Sequence, residues 1–184
     1  IDLMLTRWGA MLDHDNDERA GVFLTNALTG WVPVKHPKDL PFSEFTAERD
    51  AADNVKQQEQ ILVILGNPPY DGYAGLAIEE ERALSAAYRT VKEAPEPQGQ
   101  GLNDLYIRFF RMAERRISEG IPTSDDPKPH QPNPNAKGIV CFISNYSWLD
   151  GDSHPGMRER YLEVFDSISV DSLNGDSRQT GKRT

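Results

Sequence analysis

The chain is predicted to be an α/β protein with a mostly parallel sheet and crossover helices, and two observations predict it. Short apolar runs, among them Ile61-Leu62-Val63-Ile64-Leu65-Gly66 and Gly138-Ile139-Val140-Cys141-Phe142-Ile143, are long enough for a strand and too short for a helix. Longer segments with helical periodicity separate them. The order strand, helix, strand, helix, strand, helix, strand calls for crossovers, and crossovers make neighbouring strands parallel. Continuous rather than alternating apolar character further predicts strands buried on both faces.

Taken in order, residues 1 to 12 place Leu5, Trp8, Met11 and Leu12 at helical spacing, and residues 13 to 18 form a polar turn. Gly21-Val22-Phe23-Leu24 reads as a short strand with residues 25 to 29 as its exit loop. After a connection marked by Pro33, Pro37 and Pro41, residues 43 to 59 are rich in Glu, Ala, Lys and Gln. They predict an exposed helix capped by Ser43 and anchored by the Phe45 ring. The strand at 61 to 66 follows, then a helix over about 77 to 92 and a Pro/Gly linker from Ala94 to Gly101. From Asn103 to about Glu119 a third helix buries Tyr106, Phe109, Ala113 and Ile117 on one stripe. Arg108, Arg111 and Arg115 share another face, which reads as a solvated row or a phosphate contact. Residues 120 to 137, with five prolines, are expected to be a flexible surface excursion. The strand at 138 to 143, a helix from Pro155 to Phe165 with Met157, Tyr161, Leu162 and Phe165 inward, and a last strand at 168 to 173 complete the pattern.

Composition bounds the function. With 184 residues, 38% hydrophobic and 27% charged, the chain is expected to form one cytoplasmic domain, residues 1 to 184, with its own core. No stretch approaches the roughly 18 to 20 apolar residues of a membrane span, and no signal-peptide pattern opens the sequence. The net charge of −9 argues against this segment gripping DNA phosphates alone, because duplex affinity comes largely from Lys and Arg. The lone Cys141 excludes an intrachain disulfide and is expected to be a small buried hydrophobe. His14, His36, His130 and His154 lack metal-ligand spacing and are placed in loops, so no metal site is expected.

Chemistry concentrates in Asn67-Pro68-Pro69-Tyr70, directly behind the apolar run at 61 to 66. Ligands of open α/β sheets gather at the carboxyl ends of the strands. Two prolines end the strand there and stiffen the loop. An aromatic amine is a poor nucleophile because its lone pair is delocalised into the ring. If the Asn67 side-chain carbonyl and the Pro68 backbone carbonyl accept its two N–H bonds, the nitrogen shifts toward tetrahedral geometry and aims its lone pair at a methyl donor. Tyr70 then stacks on the base. As a bare tetrapeptide, Asn-Pro-Pro-Tyr also serves as an ordinary turn. Gly175-Asp176-Ser177-Arg178-Gln179-Thr180-Gly181-Lys182 resembles a phosphate loop but has five residues between its glycines and Arg183 where that loop needs Ser or Thr.

Together with Asp104-Leu105-Tyr106 opening a helix and the strand at 139 to 143 followed by Asn145 to Leu149, the Asn67 motif resembles the successive motifs of gamma-type adenine-N6 DNA methyltransferases. The phrases Phe23 to Trp31, Gln100 to Tyr106 and Ser144 to Gly175 are similar to the methyltransferase region of type ISP, single-polypeptide restriction–modification enzymes. The resemblance runs nearly end to end. It implies part of a Rossmann-like class I methyltransferase fold, with Asn67, Pro68, Pro69 and Tyr70 as catalytic residues acting on a flipped adenine of double-stranded DNA. It implies S-adenosylmethionine as cofactor, with Asn26, Asp104 and Tyr106 near it; helix capping and core packing are the alternatives for Asp104 and Tyr106. Partners would be the nuclease, motor and target-recognition domains of one polypeptide.

Departures from the family pattern are informative. No Gly-rich loop precedes the first strand, and no acidic residue closes a second one. The chain is therefore expected to be the middle and later part of a methyltransferase domain with an incomplete cofactor site. A noncatalytic docking segment of a restriction enzyme, and methylation of RNA or of protein glutamine, are the competing readings.

Overall fold

The computed structural model describes residues 21–31, 41–70, 78–119, 133 and 135–172. Within them the chain is a mixed α/β protein built on a two-stranded parallel sheet. Strand β1 (Val63–Gly66) pairs with β2 (Ile139–Phe142) in the register Val63 to Ile139 through Gly66 to Phe142. The ladder extends one bond beyond each end, from Ile139 N to Leu62 O (2.8 Å) and from Ile143 N to Gly66 O (3.0 Å). Around it lie α1 (Ser43–Gln58), α2 (Glu79–Ala86), a 3-10 turn (Gly101–Asn103), α3 (Leu105–Ser118), α4 (Ser147–Asp150) and α5 (Pro155–Val164).

Helix α3 is the centre of the molecule. It lies between β1 and β2 in sequence and packs on one face of their sheet, as a crossover helix must. Tyr106, Ile107, Phe110, Ala113 and Ile117 are all buried along it. They join Tyr88, Leu102, Trp148, Met157 and Tyr161 in a largely aromatic core, with Phe142, Leu149 and Phe165 packed against it. Phe110 is its hub, with ring centroids 5.2 Å from Phe142, 5.5 Å from Trp148 and 6.0 Å from both Tyr106 and Tyr161. Each such pair adds about 0.5–1.5 kcal/mol beyond the area it buries. Close approach to the sheet depends on missing side chains. A Cβ on Gly138 would stand 2.6 Å from Ile117 Cδ1 and 2.7 Å from Leu62 O, and one on Gly66 would stand 2.9 Å from the Phe142 ring.

Two members of the arginine row of α3, Arg108 and Arg111, are neither solvated nor open to phosphate. Arg108 is 3% and Arg111 7% exposed. Arg108 meets Glu81 at 3.5 Å, while Arg111 pairs with Glu114 (3.0 Å) and Glu119 (2.6 Å). Arg160 of α5 reaches the same two carboxylates, and the Tyr88 hydroxyl donates to Glu114 at 2.7 Å. Burial lowers the pKa of Arg111, but Glu114 and Glu119 outweigh it and the net shift is upward. A buried carboxylate with three partners is tolerable where an unpaired one would neutralise.

Other expectations are corrected by the same logic of neighbours. Residues 22 to 24 and 168 to 172 form no strand, because no ladder partner lies beside them among the described residues; Leu24 is 90% exposed. Position 173 lies outside those residues, as do 1 to 12, His14, His36, His130 and the loop-like 175 to 182. So does most of the 120 to 137 excursion. Among the described residues the strand at 61 to 66 is not buried on both faces: Val63 and Leu65 are exposed, and Cys141 with them. Ser43 is the first helical residue rather than the cap; the cap position is Phe42, and no side chain caps the helix. The Phe45 ring meets Phe42, 5.5 Å away, and both are exposed. Leu162 points outward, whereas Met157 and Tyr161 are buried as expected. Phe109 is half-buried and its neighbour Phe110 takes the core position.

Candidate active site

Parallel pairing brings the exits of β1 and β2 to one edge, so the Asn67 loop and the segment from Ile143 to Asn145 are neighbours. Asn67 is exposed, Pro68 buried and Pro69 exposed. Buried Pro68 fixes the loop against the body while the Asn67 amide faces outward into reach of a ligand. The Tyr70 hydroxyl donates to Ile143 O at 3.0 Å and lies 3.4 Å from Asn67 Oδ1. Tyr70 thus ties its own loop to the neighbouring strand exit. A carbonyl oxygen has two lone pairs, so Asn67 Oδ1 keeps acceptor capacity beside that hydroxyl. The Tyr70 ring is met on one side by Tyr106, with centroids 5.9 Å apart at 63°, and remains 52% exposed.

Tyr106 itself is 1% exposed. It supports Tyr70 from beneath and meets the His154 ring at 6.5 Å. His154, which precedes the Pro155 start of α5, is a feature the sequence reading assigned only to a loop. It is buried, it packs against Gly101 and Gly151, and burial first, then the Arg158 charge, holds its pKa below the ordinary imidazole value. The signal available was its place just before a helix-starting proline, which puts it at the N-cap position of α5.

The three residues implied for the cofactor each have partners within the protein. Asn26 donates to Glu81 Oε1 (2.7 Å) and accepts from Leu28 N (2.9 Å), so both ends of its amide are engaged. Asp104 stands at the N-cap position of α3 without bonding the helix N–H groups through its side chain, and Tyr106 is core. This donor set does not fit an S-adenosylmethionine pocket among the described residues. Of the second exit segment, Asn145 Oδ1 accepts from Ser147 N (3.1 Å) and starts α4, Tyr146 is exposed, and Trp148 packs in the core.

No group of three or more His, Cys, Asp or Glu side chains could hold a metal ion among the described residues, and no helix there is long and apolar enough to cross a membrane. Comparison with known proteins gave no match, whether to family models, to curated proteins or to solved structures. The chemistry open to the exposed carbonyl of Asn67, the Pro68 backbone and a supported aromatic ring is recognition of a planar group bearing N–H donors: hydrogen bonds at its edge and stacking on its face.

Proposed function

We propose that this chain is the target-base half of an adenine-N6 DNA methyltransferase of the single-polypeptide restriction–modification type, with a partial Rossmann-like methyltransferase fold. One observation carries the reading: Asn67-Pro68-Pro69-Tyr70 stands at the carboxyl end of a parallel strand, its amide exposed and its tyrosine anchored to the next strand exit. In this reading a flipped adenine of duplex DNA stacks on the free side of Tyr70. Its amino group donates to Asn67 Oδ1 and to the Pro68 carbonyl, which localises the nitrogen lone pair for attack. Asn67 binds and orients; Tyr106 holds the stacking ring in place. No protein nucleophile is required, and catalysis is positioning with electrostatic stabilisation. The methyl donor would be S-adenosylmethionine, held mainly by residues outside those described, and the DNA grip would come from other domains of the polypeptide, in keeping with the −9 charge here.

The test is Asn67→Ala in the full-length protein, read by single-turnover transfer of labelled methyl groups to duplex DNA. Loss of one preorganised contact to the reacting atom costs on the order of 3 kcal/mol, so the rate should fall by about two to three orders of magnitude while DNA affinity survives. Asn67→Asp, which keeps an acceptor, should retain more activity than Ala. A near wild-type rate for the Ala variant would reduce Asn67 to a turn residue.

The apolar face of the sheet that no described residue covers favours a second reading, a noncatalytic segment that docks neighbouring domains of the same polypeptide. Full activity of the Asn67→Ala variant together with tight association with those domains would select it.

A further inference from the structure

At the amino end of β1, away from the Asn67 loop, a cavity of about 330 Å³ opens between α1, α3 and the segment from Gly21 to Trp31. That volume lies at the small end of the range for ligand pockets, which are mostly apolar with a few placed polar groups. Its wall includes Phe23, Val55, Ile64 and Met112, and its charged groups are all cationic: Lys56, Arg115 and Arg116.

Two of the three cations are already engaged. Lys56 Nζ donates to Thr25 Oγ1 (2.6 Å) and stands 3.5 Å from Asp53. Arg116 donates to the carbonyls of Val55 (3.0 Å), Glu59 (2.9 Å) and Lys56. Arg115 differs. Its guanidinium carbon lies 4.1 Å from the centroid of the buried Trp31 ring, and its Nε–H has no hydrogen-bond partner among the described residues. The acidic groups around it are committed elsewhere. Glu119 pairs with Arg111 and Arg160, and Glu80 accepts from the Gly30 and Trp31 N–H groups at 3.2 and 3.0 Å. Burial first, then the Arg111 charge, pushes the Arg115 pKa down to about 10, which marks a cation short of compensation.

A guanidinium lying over an indole ring can still donate from its edge, and a carboxylate receives such an edge through two parallel bonds. A dianionic phosphate would bring a second, unmatched charge against apolar walls and is disfavoured. We propose that this cavity binds a small carboxylate with an apolar body, its head on the Arg115 edge and its body against Phe23, Ile64 and Met112. The site is independent of the methyltransferase reading, since it lies at the opposite end of the strand.

The experiment is calorimetric titration of the protein with 1-naphthoate, with neutral 1-naphthalenemethanol, and with inorganic phosphate. Naphthoate should bind about tenfold or more tightly than the alcohol, because the charged hydrogen bonds are lost with the head group. Phosphate should not compete. Arg115→Met should abolish the preference and Arg115→Lys restore part of it. Should the Met variant fold poorly, the wild-type protein still decides: naphthoate should shift the NMR signals of the Trp31 indole N–H and the Ile64 methyls. No naphthoate binding at millimolar concentration, equal affinity for the alcohol, or shifts that spare Trp31 and Ile64 would each overturn the proposal.

Discussion

The two faces of the sheet share one backbone and differ in nearly everything else. On the face toward α3, Ile64, Gly66, Val140 and Phe142 are half-buried, and Phe142 meets the Phe110 hub. On the other, Val63 is 55%, Leu65 72% and Ile139 63% exposed, with Cys141 beside them. The composition of the two faces is equally apolar. A strand's hydrophobicity thus records the environment its sequence suits, not the environment a given stretch of chain supplies. Parallel sheets normally have both faces covered, and among the described residues this one has a single covered face.

The largest effect expected of this contrast is on stability. Phe110→Ala removes the ring that joins Tyr106, Phe142, Trp148 and Tyr161, and should destabilise the fold by about 3–5 kcal/mol in urea denaturation. A loss under about 1 kcal/mol would mean the aromatic hub is loosely packed. Next is accessibility. Cys141 should react with a maleimide in the native protein nearly as fast as in the unfolded chain, since the thiolate is the reactive form and nothing described covers it. Slow labelling would show the face to be covered in solution.

Leu65→Ala should change stability by no more than about 0.5 kcal/mol, as for other exposed positions. A cost near that of Phe110→Ala would abolish the distinction between the faces. The smallest expected effect is a pH dependence arising behind the covered face, at His154. Its folded pKa is lowered by burial and by Arg158. The unfolded chain therefore binds the proton first, and this share of stability is present above the ordinary value of about 6.5 and declines as pH falls from there toward the folded value. His154→Gln should flatten the urea midpoint between about pH 7.5 and 5.5; an unchanged slope would assign the acid sensitivity to carboxylates.

How far this was legible in the sequence follows from the range of the forces involved. Strands β1 and β2 and helices α3 and α5 are set by local apolar pattern and were placed to within two residues or so. The meeting of the Asn67 loop with the β2 exit was legible too, because parallel pairing follows from crossovers. What depends on distant partners was not. Arg108 read as solvent-facing because its partner Glu81 lies 27 residues away, and Arg111 because Tyr88 and Arg160, which share its partner Glu114, come from distant parts of the chain. Residues 22 to 24 and 168 to 172 have strand-like side chains, but a strand exists only where another donates and accepts beside it.

The chain leaves α3 at Ser118 and comes back at Asn133, whose N–H donates to the Ser118 carbonyl at 2.7 Å. Departure and return points therefore coincide, and β2 begins a few residues later, its two ends bonded to Leu62 and Gly66. That one backbone bond closes a loop whose two ends are fixed by the protein around them. Doubling the length of such a closed loop costs only about 0.6 kcal/mol. By that arithmetic an insertion between the two ends should be tolerated so long as the Ser118–Asn133 bond still forms.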